Sequence, residues 1–191
     1  LRDSLRIELG PLQAQFQRDV SGDTPRVLRG GIGVNEAAPE PTAGVVVNVN
    51  VAALPLDAWE AVASHVTGVG VGGAATADSG GYLPTFVAVR AQTLNSGARQ
   101  FNRVVVGASQ EEGVWRANVE AEQFGGYVEY RPARPGAAQG AGRIYARLAR
   151  LSLPKSDVDQ VETLLDQQQP AAVPALDIVI DDVELPGLVR E

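Results

Sequence analysis

The chain has 191 residues, of which 45% are hydrophobic and 20% charged, a balance that supports a folded core and excludes a disordered protein. Its net charge of −7, from 16 basic and 23 acidic residues, argues against a nucleic-acid partner, because phosphate backbones require concentrated Lys and Arg. Cysteine is absent, which excludes disulfides, thiolate nucleophiles and Cys-ligated metals.

The start of the chain is atypical of a complete protein. It begins with Leu1, contains no Met, and carries no basic stretch followed by an apolar run of the kind found in signal peptides. No apolar run reaches the ~20 residues that cross a bilayer. We therefore expect 1–191 to be a single, mostly β domain, an internal segment of a longer protein whose membrane anchor lies outside it.

Alternation of apolar and polar residues with a period of two is the main structural signal. Leu5, Ile7 and Leu9, for example, alternate with Arg6 and Glu8. Strands are predicted at 5–9, 12–17, 26–34, 45–53, 85–93, 99–108, 115–121, 144–148 and 176–185. Turn residues such as SGD at 21–23, NSG at 95–97 and EEG at 111–113 separate strands, and short connections favour antiparallel hairpins.

Two segments instead show helical periodicity. Residues 56–66 have an apolar stripe behind Asp57 as a helix cap, and residues 156–168 have a second stripe with acidic residues in the first turn. Two Gly-, Ala- and Pro-rich segments, 67–81 and 131–142, are predicted to be flexible loops. The predicted fold is mainly β: a curved antiparallel sheet, forming an open groove or a rolled sheet, with two short α-helices.

The motifs within and beside the first predicted helix do not establish a nucleotide-binding, metal or catalytic site. Residues 68–73, GVGVGG, match the letters of the dinucleotide-binding motif, but the predicted helix precedes them, which favours a flexible loop. His65 is the single histidine, which excludes a multi-histidine metal site. A hydrolase using Ser64 and His65 stays open, although no nucleophile-elbow motif is present.

The densest acidic group falls on the last predicted strand. Its members are Asp177, Asp181, Asp182 and Glu184. On a strand they divide between two faces, and they lack the glycine turn and terminal Glu of a calcium loop. Solvated strand charges are the favoured interpretation.

Glu120 and Glu122 form the remaining candidate pair, on the same predicted strand face as Arg116. A pair of this kind could hydrolyse glycosides, but only in a cleft with aromatic residues, which make up 5% of the chain. We expect these glutamates to pair across strands with arginines such as Arg143 or Arg147. The sequence predicts no catalytic, cofactor-binding or metal site and no enzyme.

The segment WRANVEAEQFGGYVEY, 115–130, contains a break in its alternation. Apolar residues occupy odd positions up to Ala121, but Phe124 is even and is followed by Gly125 and Gly126. The break predicts a strand, a turn or bulge, and a returning strand.

The order of short phrases along the chain resembles a known family. An alternating strand at 45–51 leads into LPLDAW at 54–59; GVW and GGY follow at 113–115 and 125–127, then GRIYARLARLSLP at 142–154 and PALDIVI at 174–180. This order is similar to that of the YhdP family of AsmA-like bacterial envelope proteins, relatives of TamB and YdbH, over residues 40–185.

The resemblance implies a periplasmic protein anchored in the inner membrane, with a rolled sheet whose apolar groove forms a section of a conduit for phospholipids between inner and outer membranes. Phospholipid acyl chains would be the partners, without a cofactor. The candidate groove or core face comprises Val45, Val47, Val49, Val51, Trp115, Ala117, Val119, Ala121, Ile144, Ala146 and Leu148. The alternative is a non-catalytic structural or protein-interaction β domain, supporting envelope assembly, in which the helices close this face as a core.

Overall fold

The computed structural model of the protein describes residues 1–56, 58, 80–97, 99–132, 142–152 and 175–184. The strands of these ranges are β1 (Arg2–Leu9), β2 (Leu12–Asp19), β3 (Arg26–Val34), β4 (Gly44–Pro55), β5 (Phe86–Ser96), β6 (Arg99–Glu111), β7 (Val114–Glu120), β8 (Phe124–Arg131), β9 (Arg143–Ser152), β10 (Ala175–Ile180) and β11 (Val183–Glu184).

All these strands belong to one open sheet whose spatial order follows the chain. Each strand from β1 to β10 pairs with the next, and the short β11 pairs with β9 beyond the end of β10. Sequential neighbours are the commonest arrangement because short connections place consecutive strands side by side. The prediction of a mainly β fold is confirmed.

The prediction of a purely antiparallel sheet is wrong. The pairs β3–β4, β4–β5 and β9–β10 are parallel, as is β11 with β9, and the remaining pairs are antiparallel. A parallel pair requires its connection to cross from one end of the sheet to the other, which a tight turn cannot do. The connections from β4 to β5 and from β9 to β10 are long enough for such crossovers, whereas the sequence pattern favours antiparallel hairpins.

The β3–β4 crossover, 35–43, has only nine residues and packs directly on the sheet. The side-chain amide of Gln15 donates to the carbonyl oxygens of Ala38 and Pro39, at 3.2 and 3.3 Å. A Cβ at Gly31 would overlap the Pro39 carbonyl, so a glycine is needed where the crossover meets β3.

The predicted strand, bend and returning strand at 115–130 are confirmed. β7 ends at Glu120, β8 begins at Phe124, and the β8–β9 register shifts between Gly125 and Gly126. A Cβ at Gly126 would overlap the carbonyl of Arg147 on β9, which explains why a glycine occupies the irregular position.

Other predicted features lie wholly or largely outside the described residues. Only Leu56 and Ala58 of the first predicted helix are described, and both have helical backbone, whereas 156–168 is outside altogether. The two Gly-rich segments also fall mostly outside. The predicted strand 176–185 is divided, since β10 ends at Ile180 and β11 begins at Val183.

Buried apolar residues form two clusters at different parts of the sheet. The Phe16 cluster contains Ala14, Phe16 and Val45, packed by Leu5, Val27 and Ile32. The Phe101 cluster contains Leu54, Ala91, Val104 and Ala121, packed by Val51, Val89, Leu94, Phe101, Val106 and Phe124. The first cluster lies on β1–β4, and the second joins β4 to β8.

Candidate functional site

A row of apolar residues crosses the whole sheet on one face. Following the pairing from strand to strand, one residue per strand, gives Ile7, Ala14, Ile32, Val47, Val87, Ala108, Ala117, Val128, Ala146 and Ile178. We call this the first row. Directly paired residues point to the same side of a sheet, so all ten side chains share one face.

A second row lies two residues away from the first on every strand, on the same face. It comprises Leu9, Leu12, Val34, Val49, Val89, Val106, Val119, Gly126, Leu148 and Ile180. Neither row contains a polar side chain, and together they define what we call the apolar face. Ten strands at a spacing of ~4.8 Å make each row about 43 Å long.

The structure brings the eleven predicted face residues to this apolar face. Val47, Ala117 and Ala146 are in the first row, and Val49, Val119 and Leu148 are in the second. The other five lie beside the rows: Val45, Val51, Trp115, Ala121 and Ile144.

Exposure varies along this face. Val45 is 0% exposed, Ala121 5%, Val49 7% and Ala146 7%. The other predicted face residues are half-buried: Val47, Val51, Trp115, Ala117, Val119, Ile144 and Leu148. Apart from Leu56 and Ala58, the predicted helices that the alternative interpretation places over this face lie outside the residues that the structure describes.

Aromatic contacts that the sequence did not predict lie at the two clusters. The rings of Phe16 and Tyr82 meet edge to face with centroids 5.3 Å apart, and Arg18 donates to the Tyr82 hydroxyl at 3.2 Å. Val27 N–H donates to the Gly80 carbonyl at 2.8 Å, which ties residues 80–82 to the sheet. The Tyr82 contact could not be read from strand alternation, because Tyr82 lies outside any strand.

The opposite face of the sheet is polar. The polar-face row next to the first row, on the side away from the second row, runs through Arg6, Gln15, Gly31, Val46, Phe86, Ser109, Arg116, Glu129, Tyr145 and Asp177. Four of its ten residues are charged, whereas the first row has none. The sheet therefore separates an apolar surface from a charged one.

Glu129 is the centre of an ionic network on this polar face. Its carboxylate accepts from Arg131 at 2.6 Å and from the Tyr127 hydroxyl at 3.1 Å, and lies 3.5 Å from Arg116. The hydrogen bond from Arg131 is the main cause that lowers the pKa of Glu129. Burial raises the pKa of Tyr127, with a smaller effect of the adjacent carboxylate. These groups pair with one another, which is a structural role.

The predicted pairing of Glu120 and Glu122 with β9 arginines is wrong. β8 lies between β7 and β9, so Arg143 and Arg147 are two strands away from Glu120. Glu122 lies past the end of β7 and forms an ion pair with Arg103 at 2.8 Å. Glu122 and Glu120 therefore do not share a strand face, as a hydrolytic pair on one strand would require.

The other candidate catalytic and nucleotide-binding residues lie outside the described ranges. Ser64, His65 and the glycines at 68–73 are among the residues not described. Within the described part of the chain, no group of three or more His, Cys, Asp and Glu side chains is placed to hold a metal. In the same part, no helix has the length and hydropathy needed to cross a membrane.

Two small cavities flank the β3–β4 crossover on the polar face. Their volumes are about 210 and 220 Å³, and Arg6, Gln15 and Glu40 line both. Pockets for small organic ligands usually measure ~300–1,000 Å³. These cavities are smaller than that range, so the apolar face is the better candidate for a functional surface.

A family model described as YhdP protein matches residues 2–188, nearly the whole chain. The chain belongs to the YhdP family. The match extends the resemblance found over 40–185 to the first three strands, which had appeared as generic alternating segments. Members of the YhdP family are AsmA-like bacterial envelope proteins, and the family is not a known enzyme family. Searches of the curated proteins and of the solved structures gave no significant match.

Proposed function

We propose that this chain forms one section of a periplasmic lipid conduit, anchored to the inner membrane outside the present sequence and taking part in phospholipid transport between the inner and outer membranes. Membership of the YhdP family and the form of the apolar face support this function. The observation that carries it is the pair of apolar rows, which cross ten strands without a polar side chain.

The dimensions of the rows suit an acyl chain. One leaflet of a bilayer is about 15 Å of hydrocarbon, half of the ~30 Å core, and each row is about 43 Å long. Each CH₂ group that leaves water for such a surface gains about 0.8 kcal/mol. A chain lying along the rows would therefore meet apolar side chains over its full length.

Small side chains leave space on this surface. Ala108 and Ala117 are paired neighbours in the first row, and Gly126 lies in the second. Larger side chains such as Leu or Phe at these positions would fill the space themselves. With Ala and Gly there, a ligand would fill it instead. The polar face, with Arg116 and Glu129, would stay in water while lipid moves along the other side.

Site-specific photocrosslinking tests the proposal. A photoreactive phenylalanine analogue is placed at Ala117, on the apolar face, or at Asn118, the exposed next residue on the polar face, and the full-length envelope protein is irradiated in cells. We expect phospholipid adducts, detected by mass spectrometry, at 117 and not at 118. Equal labelling at both positions, or labelling at neither, would contradict a lipid-carrying face.

The second candidate is a structural or interaction domain whose apolar face is a closed core. The burial of Val45 at 0% and of Val49 and Ala146 at 7% favours it. In that case the photoreactive group at Ala117 would crosslink to the protein's own chain, and purified protein would carry no phospholipid. The same experiment thus separates the two candidates.

A further inference from the structure

Three side chains with polar tips border the apolar face on the neighbouring strands β6, β7 and β8. Gln110 of β6 pairs with Trp115 of β7, which pairs with Tyr130 of β8. Gln110 and Trp115 stand two residues from Ala108 and Ala117 of the first row, so they share its face. All three side chains are half-buried, and we call them the Trp115 trio.

The trio presents hydrogen-bond donors at the surface. Among the described residues, none bonds to the side-chain amide of Gln110 or to the indole N–H of Trp115, and no buried side-chain nitrogen or oxygen lacks a partner. These two donors therefore reach the outside of the sheet. Burial raises the pKa of Tyr130, which keeps its hydroxyl protonated, and so able to donate, at neutral pH.

On the described strands β6 to β8, the apolar face beside the trio carries no charged side chain. The charged neighbours in the chain, such as Arg116 and Glu129, lie on the polar face. Trp and Tyr favour boundaries of this kind, where one end of the side chain is apolar and the other is wet. Uncharged donors beside apolar residues suit oxygen atoms that are attached to a hydrocarbon chain. The adjacent residues of the two rows are Ala108, Ala117, Val128, Val106, Val119 and Gly126.

The other end of β6 and β7 has the opposite character. Val104 and Ala121 lie on the same face, four residues beyond Ala108 and Ala117, and are 2% and 5% exposed within the Phe101 cluster. Along these two strands the face therefore changes from polar-tipped to buried and apolar. This gradient matches a ligand with an oxygen-rich end and a hydrocarbon end, and it defines which end lies where.

We propose that the Trp115 trio binds the ester and phosphate oxygens of a phospholipid, whose acyl chains extend from there over Ala108 and Ala117 towards Val104. This inference rests on the proposed conduit function and adds the orientation of the lipid to it. Because the trio is uncharged, it recognises oxygens that all glycerophospholipids share and not one particular headgroup.

Photoreactive phospholipids test the orientation in the purified full-length envelope protein. One probe carries a diazirine in its headgroup and the other at the end of an acyl chain, and mass spectrometry locates the adducts. We expect the headgroup probe to label Gln110, Trp115 or Tyr130, and the chain probe to label Val119 or Ala121. The reverse distribution, or one distribution for both probes, would overturn the orientation. Absence of adducts on the apolar face with either probe would instead contradict the conduit function itself.

Removing the donors tests the recognition. Gln110→Leu/Tyr130→Phe keeps the apolar bulk but removes two polar tips, so the yield of phospholipid adducts at a photoreactive residue 117 should fall about tenfold, and Gln110→Leu alone should lower it about threefold. A role as apolar surface alone predicts that the double variant carries as much lipid as the parent chain, or more. That result would refute the proposal and leave the conduit function intact.

Tyr127→Phe is the matched control for the double variant. It removes a hydroxyl from the polar face of the same strand, where Tyr127 donates to Glu129 at 3.1 Å, so the adduct yield should equal that of the parent chain. Trp115 is retained in all these variants, and its fluorescence during urea unfolding checks that each one is folded. A loss in Tyr127→Phe equal to that in the double variant would show that the effect is not specific to the trio.

A comparison of headgroups tests the last part of the proposal. Vesicles of phosphatidylethanolamine and of phosphatidylglycerol share the ester and phosphate oxygens but differ in net charge, so both should give similar adduct yields with the parent chain. A preference of about tenfold for either lipid, as a charge-assisted contact would produce, would contradict recognition through the shared oxygens.

Discussion

The rings of Phe101 and Phe124 meet edge to face, with centroids 5.1 Å apart and an interplanar angle of 85°. Phe101 is near the start of β6 and Phe124 opens β8, so the contact passes the end of the intervening β7. Both rings pack against the buried cluster that contains Leu54, Ala91, Val104 and Ala121. The contact therefore ties β4 through β8 together at one end of the sheet, where the turn after β7 interrupts regular pairing.

Removing the Phe124 ring should destabilise the fold. Phe124→Ala deletes one half of the aromatic pair and its contacts in the Phe101 cluster, and because the ring is half-buried we expect a loss of about 2 kcal/mol in the free energy of unfolding by urea. Phe86→Ala is the control, since Phe86 is 41% exposed and should cost less than about 1 kcal/mol. Similar losses for both variants would contradict the role of the cluster.

The Glu129 network should make stability depend on acid pH. The pKa of Glu129 in the folded chain lies below its ordinary value of 4.5, mainly because Arg131 donates to it. The stabilisation is complete above about pH 4.5 and is lost as the pH falls through the folded pKa. Glu129→Gln should lower stability at pH 7 and flatten this decline, measured as urea unfolding at pH 7 and at pH 3 to 5.

Glu111→Gln provides the control for that experiment. Glu111 contacts the same Arg116, at 3.3 Å, but its side chain is 79% exposed against 13% for Glu129. Water screens an exposed pair, so this change should leave the pH dependence of the free energy of unfolding close to that of the parent chain. An unchanged profile in Glu129→Gln would show that the network does not couple protonation to folding.

Gly126 and Gly107 differ in the space available for a Cβ atom. A Cβ at Gly126 would overlap the Arg147 carbonyl and lie 2.7 Å from the Leu148 Cα, whereas a Cβ at Gly107 would meet no atom within 4 Å. Gly126→Ala should therefore lower the thermal midpoint and cost about 2 kcal/mol or more, while Gly107→Ala should be neutral or slightly stabilising. Thermal unfolding by circular dichroism checks this, and equal midpoints would be inconsistent with the close β8–β9 approach.

Tyr82 should stabilise the Phe16 cluster chiefly through its ring. Tyr82→Phe removes the hydroxyl that accepts from Arg18 at an exposed site, and should cost about 0.5 kcal/mol. Tyr82→Ala also removes the edge contact with Phe16 and should cost about 1.5 kcal/mol in urea unfolding. If the phenylalanine variant lost as much as the alanine variant, the hydrogen bond rather than the ring would hold residues 80–82 on the sheet.

The sequence by itself determined which residues share a face of each strand. Alternation such as that of Leu5, Ile7 and Leu9 identifies the side chains on one face of a strand, because successive side chains point to opposite faces. It also located the bend before β8, since Phe124 and the paired glycines break that period. The order of short phrases from 45 to 180 was sufficient to indicate the YhdP family, which the family model confirms.

Only the tertiary structure decided how the strands are joined. Strand alternation is the same for parallel and antiparallel neighbours, so the parallel β3–β4, β4–β5 and β9–β10 pairs could not be read from it. Register is likewise a relation between segments distant in the chain. The pairing that places Ile7 and Ile178 at opposite ends of one apolar row, and Glu122 beside Arg103 instead of a β9 arginine, exists only once all ten strands are assembled.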